Sequence, residues 1–487
     1  MPQQSPVIVW FRRDLRLADN PALHKAAQHG GPVIPVYILD TTKDVRPMGG
    51  ASLWWLDKSL KALGGDLEAL GSRLILRRGP AGEVLKGLVE QTGAECLLWN
   101  RLYDPDTITR DKAIKAELEQ AGVSVTSCNA ALLTEPWEIK TGTGGSYKIF
   151  TPFWRALRSQ IQLDVIHRAP EALPAPARWP ASDKLTDWGL HPAKPDWSKG
   201  FSDWTPGEAG ASERLHDFLD ENLRDYTEGR DFPAREATSR LSPHLHFGEI
   251  GPRAIWRAGH AAAHRGASDS QVDKFLSELG WREFNHGLLY ARPDLPQNPF
   301  KPAFDHLPWR HDKHGLEAWK RGRTGFPFVD AGMRELWATG YMENRVRMIT
   351  ASFLTKHLLV DWREGEAWFW DTLLDADMAN NVNNWQWVAG CGADASPFFR
   401  IFNPIAQGQK FDAEGDYIRR WVPELAALPA KHIHEPWKAP QAVLDKAGVR
   451  LGDTYAKCIV EHDAARRRAL DAYQAVKTDA DSPVESD

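Results

Sequence analysis

The chain has few cysteines, no long apolar run and no excess of positive charge, and each shortage removes a class of protein. Its four cysteines, Cys96, Cys128, Cys391 and Cys458, lie far apart and form no CxxC pair, which argues against a zinc site or a disulfide framework and for a reducing compartment. No stretch approaches the roughly 18 consecutive apolar residues of a membrane-spanning helix. The opening Met1 to Pro6 lacks the charged-then-apolar layout of a signal peptide, so a cytoplasmic protein without membrane contact is expected. A formal net charge of -5 gives no general sign of nucleic acid, because a duplex binder presents clustered Lys and Arg. The charge must therefore be read locally, and arginines crowd residues 230–257 and 310–347. There is no internal repeat, and no GxGxxG follows the first strand-like run, so the dinucleotide fingerprint is missing. What the chain has in quantity is tryptophan, 22 in all. Indoles pack cores, stack on bases and carry electrons, and packing is the default for most of them.

A length of 487 residues is too great for one ordinary core and predicts two domains or three. The first part alternates short β-branched runs with helix-like segments, the pattern of a parallel sheet covered by helices. Candidate strands are 7–10, 33–39, 73–77, 96–100 and 123–126, with helices at 51–70 and 106–121 between them. This predicts an α/β domain over 1–134 built on a doubly wound five-stranded parallel sheet. From 135 to 206 the chain turns irregular and rich in Pro, Gly and Trp, and it reads as a connector. From 207 to 475 helix follows helix, as in 213–223, 270–289 and 332–359, so this domain is expected to be all-α. The tail after about Asp463 is charged and is expected to end in a disordered stub.

Four segments of the helical half carry candidate chemistry. Residues 231–244 place hydroxyls and arginines just ahead of a helix-like segment, a turn suited to a phosphate, although a Thr-Ser pair is more often a plain helix cap. In 278–286 helical spacing puts Glu278, Trp281, Arg282 and Asn285 on adjoining faces. That set lines a pocket or, more plainly, forms an intrahelical ion pair beside a core Trp. Around Tyr341 to Ile349, Asn344, Arg347 and Met348 share one helix face. Residues 374–387 join two carboxylates, five side-chain amides and two indoles. Two acids without a nearby His make a poor cation site, so hydrogen bonding to a polar ligand is the better reading, and no metal is expected.

Together with residues 395–404 and the opening Val9-Trp10-Phe11-Arg12-Arg13-Asp14-Leu15-Arg16, these segments resemble, in order and nearly end to end, the DNA photolyase and cryptochrome family. Within it the likeness is to bacterial enzymes that repair cyclobutane pyrimidine dimers with blue light. The resemblance implies an N-terminal antenna domain, a connector, and a helical domain holding FAD. By resemblance, Tyr226 with Thr238, Ser239, Arg240, Leu241 and Ser242 hold the FAD phosphates. Arg347, Asp375 and Asp377 engage the flavin and ribityl region, and Asn381 sits opposite flavin N5. Phe275 stands where some relatives carry a Trp near the adenine. A buried anionic flavin needs a cation such as Arg347, because an unpaired buried charge is costly.

The resemblance also implies a complete repair pocket. Trp281 and Trp387 clamp the flipped dimer, Glu278 bonds its base edge, and Asn344 and Met348 line the cavity. Arg230, Arg282, Arg345, Arg400 and Gln407 contact the DNA backbone, which positions without reading sequence. Enzymes acting on the (6-4) lesion place histidines at the positions of Asn344 and Met348, so their absence here favours the cyclobutane dimer. Trp385, Trp362 and Trp309 match the family's electron-carrying chain, with core packing as the alternative for each. Asn100, Tyr103 and Asp104 are candidates for the wall of an antenna pocket holding methenyltetrahydrofolate, alternatively a deazaflavin or nothing. A cryptochrome-like photoreceptor is the alternative function, less favoured because such proteins more often carry a long C-terminal extension. A flavin oxidoreductase is disfavoured by the missing nicotinamide fingerprint. The expected partner is dimer-containing DNA in the bacterial cytoplasm, bound by a monomer.

Overall fold

The computed structural model describes residues 4–163, 165–394 and 399–481. The chain divides into two compact units, one of Met1–Arg224, Ser239–Pro293 and Leu374–Asp377, the other of Asp225–Thr238, Asp294–Leu373 and Met378–Asp487.

The first unit is built on a five-stranded parallel sheet in the order β3-β2-β1-β4-β5. Its strands are β1 Val7–Phe11, β2 Val33–Asp40, β3 Ile75–Gly79, β4 Cys96–Asn100 and β5 Ser124–Cys128. Every residue of β1 is buried, as expected of a central strand with helices on both faces. The crossover helices are Pro21–Gln28, Gly50–Ala69, Ala81–Thr92 and Pro105–Gln120. The last two bury Leu85, Leu88, Ile114 and Leu118 against Ile8, Val36, Leu97 and Val125. Strand order reverses between β1 and β4, so the switch-point crevice opens at the ends of those two strands. All five anticipated strands are present. The third begins two residues later than expected, at the buried pair Ile75 and Leu76.

The stretch expected to be irregular holds a helix, Phe150–Gln160, which packs against helix Asp269–Ala291. Its one proline, Pro152, lies in the first turn, where the missing N–H has no intrahelical acceptor to lose. The prolines that suggested irregularity all lie beyond it.

In the second unit the helical stretch expected over 332–359 is broken. Helix Pro327–Thr339 ends at Gly340, whose φ of +67° is the left-handed conformation of a helix stop. A new helix, Asn344–Ser352, starts after Glu343 and passes into a π turn at Phe353–His357. Helix Met378–Ala389 packs between Asn344–Ser352 and Trp362–Thr372. The charged tail is helical from His462 to Asp481, and the stub expected at its end lies outside the described residues. A buried stripe of Ala465, Ala469, Ala472 and Val476 explains the helix. No described helix is long and apolar enough to cross a membrane.

Candidate functional site

In the first unit, the turn ahead of helix Ser242–Phe247 holds Arg240 at a φ of +49°. Its guanidinium lies 4.3 Å over the Trp204 ring. Leu241 is buried, and Ser242 Oγ donates to Asp375 Oδ2 at 2.5 Å, a bond to a carboxylate of the stronger kind. Asp377 Oδ2 lies 3.7 Å from His286 Nε2 and 3.8 Å from His246 Nδ1. Burial pushes both imidazoles below their usual value. Burial also opposes ionisation of Asp377, but His286, His246 and Arg282 outweigh it and hold the carboxyl well below the usual range. Asp377 is therefore a buried anion with both histidines beside it. Phe275 is buried, its ring 4.6 Å from Phe218.

Helix Asp269–Ala291 presents Glu278, which is paired with Lys274 at 3.3 Å. Trp281 is half-buried and stacks on Phe150 at 3.7 Å with 8° between the rings. Arg282, expected at the DNA backbone, turns inward: Nη1 donates to Ala131 O at 2.5 Å and lies 3.8 Å from Glu283. Glu283 accepts from Leu133 N and Thr134 N at 2.9 and 3.2 Å. Burial pushes its carboxyl up to about 7.

The residues expected to wall an antenna pocket lie at the switch-point end of the sheet, where other side chains engage them. Asn100 Nδ2 donates to Asp14 Oδ2 at 2.5 Å and Asn20 Oδ1 at 2.7 Å. Tyr103 OH donates to Glu135 Oε2 at 2.8 Å. Asp104 pairs with Arg13 at 2.7 Å. All three are buried.

In the second unit, Thr238 Oγ1 donates to Glu343 Oε1 at 2.8 Å, just ahead of helix Asn344–Ser352. Arg347 Nε donates to Met342 O at 2.6 Å, and its guanidinium lies 5.2 Å over Tyr341. Asn344 is exposed, with Nδ2 3.8 Å from Met348 Sδ. Tyr226 is buried beneath Arg230, 5.2 Å above its ring. Arg345 pairs with Asp231 at 2.7 Å, Arg400 is exposed, and Gln407 is half-buried.

Helix Met378–Ala389 presents Asn381, whose Nδ2 donates to Glu366 Oε1 at 2.8 Å and Glu366 O at 3.0 Å. Two further amides of this motif are also engaged by the chain itself. Gln386 bonds Phe300 N, Leu295 O and Asn298 O, and Asn383 bonds Ala379 O. Trp385 is buried against Phe369 at 4.9 Å and Trp319 at 6.1 Å, and its Nε1 has no partner among the described residues. Trp387 is half-buried, its Nε1 donating to Asp394 O at 3.1 Å. Trp362 is buried with Arg363 4.9 Å above it, and Trp309 is half-buried. Residues 395–398 of the last family motif lie outside the described residues.

Sequence reasoning missed five side chains that hold the candidates: Glu343, Glu366, His246, His286 and Phe150. Glu343 and His286 lie inside segments already singled out, and His246 stands just beyond one. Glu366 and Asn381 are 15 residues apart, beyond any helical spacing.

Residues 7–177 match the family described as DNA photolyase, and residues 275–475 match the FAD binding domain of DNA photolyase. The chain is 55% identical to a deoxyribodipyrimidine photo-lyase of Agrobacterium fabrum over 97% of its length and 98% of the relative's. It is 39% identical to cryptochrome-2 of Arabidopsis thaliana over 96% of this chain and 78% of that protein. A crystal structure of a bacterial class III photolyase from Agrobacterium tumefaciens superposes with a TM-score of 0.96 at 54% identity, covering 98% of this chain and 99% of that one. The two domain matches, a relative similar over nearly its whole length and the parallel-sheet and helical folds place this chain in the photolyase and cryptochrome family, with an FAD-binding helical domain.

Proposed function

We propose that this protein is a deoxyribodipyrimidine photo-lyase that binds DNA containing cyclobutane pyrimidine dimers and splits them under blue light. The observation that carries the reading is the adjoining pair Asn344 and Met348 at the start of its helix, with no histidine at either position, in a chain similar end to end to a photo-lyase. Cyclobutane cleavage needs no general acid at the lesion, and an amide and a thioether suit that chemistry. Residues 1–134 form the antenna domain in this reading, 135–206 the connector and 207–475 the catalytic domain.

The donor set fits FAD. Trp385 Nε1 is a buried donor lacking a partner among the described residues. The buried anion Asp377 offers an acceptor, and Arg347 supplies a cation. Tyr226 with Thr238 to Ser242 holds the phosphates, Arg347, Asp375 and Asp377 the flavin and ribityl groups, Phe275 the adenine side, and Asn381 flavin N5. Bound there, FAD supplies the electron that opens the cyclobutane ring and takes it back, so repair has no net redox change. Glu366 fixes the Asn381 amide and so sets which polar atom that residue presents.

Trp281 and Trp387 stack on the extruded dimer, whose poor stacking in the duplex lowers the cost of flipping. Glu278 accepts from its base edge. Arg230, Arg345, Arg400 and Gln407 hold the DNA backbone, while Arg282 braces the helix of Trp281 from within. Trp385, Trp362 and Trp309 restore the reduced cofactor. A methenyltetrahydrofolate antenna, alternatively a deazaflavin or none, belongs to the same reading, with Asn100, Tyr103 and Asp104 as its candidate wall. The protein acts as a cytoplasmic monomer.

The test is repair of an ultraviolet-irradiated thymine oligonucleotide by reduced holoprotein under blue light, with a dark control and a (6-4) substrate alongside. Loss of the cyclobutane dimer alone, and only in light, is the expected result. FAD binding with no repair of either lesion would overturn it in favour of a photoreceptor.

A further inference from the structure

Helix Phe150–Gln160 lies in the connector, and no role in repair attaches to it so far. Its first residue stacks face to face on Trp281, 3.7 Å between centroids and 8° between planes. Phe284 meets the edge of the same indole at 5.9 Å and 80°. One turn along, Trp154 lies parallel to Phe150 at 6.3 Å and 10°. Trp154 in turn sits on Gly280, where a Cβ would come within 2.4 Å of its Cε3 atom. The residue preceding Trp281 is thus a glycine because the helix receives the Trp154 ring there. The far end of the layer is fixed by Arg158, 5.3 Å over Trp154 and paired with Asp273 at 2.5 Å. Phe150 is therefore set in a group of fixed rings, with the half-buried Trp281 stacked on its face and Trp154 parallel to it one turn along.

An indole backed by a fixed ring loses little freedom when a ligand stacks on its other face, and that saved ordering cost appears as affinity. We infer that Phe150 is a positioning residue of the lesion site: it sets the plane of Trp281 and so presents the indole to the dimer. The inference rests on the reading of Trp281 as a lesion clamp.

The experiment compares holoprotein variants for dark binding to a thymine-dimer oligonucleotide and to its undamaged counterpart, and for repair KM and kcat under blue light. Phe150→Leu is expected to weaken dimer affinity and raise KM roughly 2- to 10-fold, the worth of an aromatic pair. Saturated kcat and affinity for undamaged DNA stay unchanged. Phe150→Tyr, which keeps the ring, restores wild-type affinity. In a Trp281→Ala background Phe150→Leu adds no further loss. If Phe150→Leu retains FAD and binds the dimer as the wild type does while Trp281→Ala binds poorly, the inference is overturned and the clamp reading stands. If Trp281→Ala itself binds normally, the clamp reading fails and takes the inference with it. Should Phe150→Leu lose FAD, Phe150→Met removes the same ring face, and loss of FAD in both assigns Phe150 to folding alone and overturns the inference.

Discussion

Trp281 in the first unit and Trp387 in the second are both half-buried indoles on helices, but they are immobilised by different physics. Trp281 is held by area: a ring covers one face, a second meets its edge, and no hydrogen bond holds its Nε1 among the described residues. Trp387 is held by polarity, its Nε1 bonded to Asp394 O. Its helix ends in a polar cap where Lys356 Nζ donates to Ala389 O beneath the Phe399 ring. Burial drives the Lys356 ammonium well below its usual value, so this cap is a demanding arrangement, whereas the aromatic layer is a tolerant one. An indole can thus be prepared for stacking either by dispersion, which leaves its N–H available, or by a hydrogen bond, which consumes it.

The largest effects should come from removing either indole. Trp281→Ala and Trp387→Ala are each expected to lose about 1–3 kcal/mol of dimer affinity, the worth of a base–aromatic stack, measured by dark titration of a thymine-dimer oligonucleotide. Undamaged DNA should bind both variants as it binds the wild type. A loss confined to one of them would mean that only one mode of immobilisation serves the lesion.

How far this contrast could be read in advance follows from the range of the forces involved. The sheet was legible because its strands are short, mostly apolar runs separated by helix-like segments, and β1 and β4 bury nearly every side chain. The helical break at Gly340 was missed because apolar periodicity on either side of it continues through 332–359. Helix Phe150–Gln160 was missed because the prolines beyond it coloured the whole connector. Roles at the site were assigned through family resemblance alone, whereas the partners that orient those residues left no local signal. Glu343 meets Thr238 across 105 residues of sequence, and Glu283 reaches the backbone at Leu133 across 150. The amide-rich motif misled in part for the same reason, since the distant Leu295 and Phe300 engage Gln386.

A sharper comparison uses the glycine beside each indole. Gly280→Ala would drive a Cβ to 2.4 Å from the Trp154 ring, and Gly392→Ala would drive one to 2.8 Å from Trp387 N. Both should destabilise the fold by about 1–3 kcal/mol, the usual cost of overpacking, read as a lowered Tm of the holoprotein. A side chain can swing away and backbone cannot, so Gly392→Ala is expected to be the more damaging. Equal losses would mean that the Phe150–Trp154 layer is as rigid as backbone.

The smallest change tests the contrast most directly. Trp281→Phe keeps a flat ring against Phe150 and removes only an N–H that holds nothing in the described structure. Trp387→Phe keeps a flat ring too, but loses the bond to Asp394 O, which costs roughly 0.5–1.5 kcal/mol. The expected order of dimer affinity is wild type, then Trp281→Phe close behind it, then Trp387→Phe, measured in the same dark titration. If Trp281→Phe falls as far as Trp387→Phe, the indole N–H of Trp281 must itself bond the dimer. Dispersion would then be holding that ring so that its one polar atom stays free to do so.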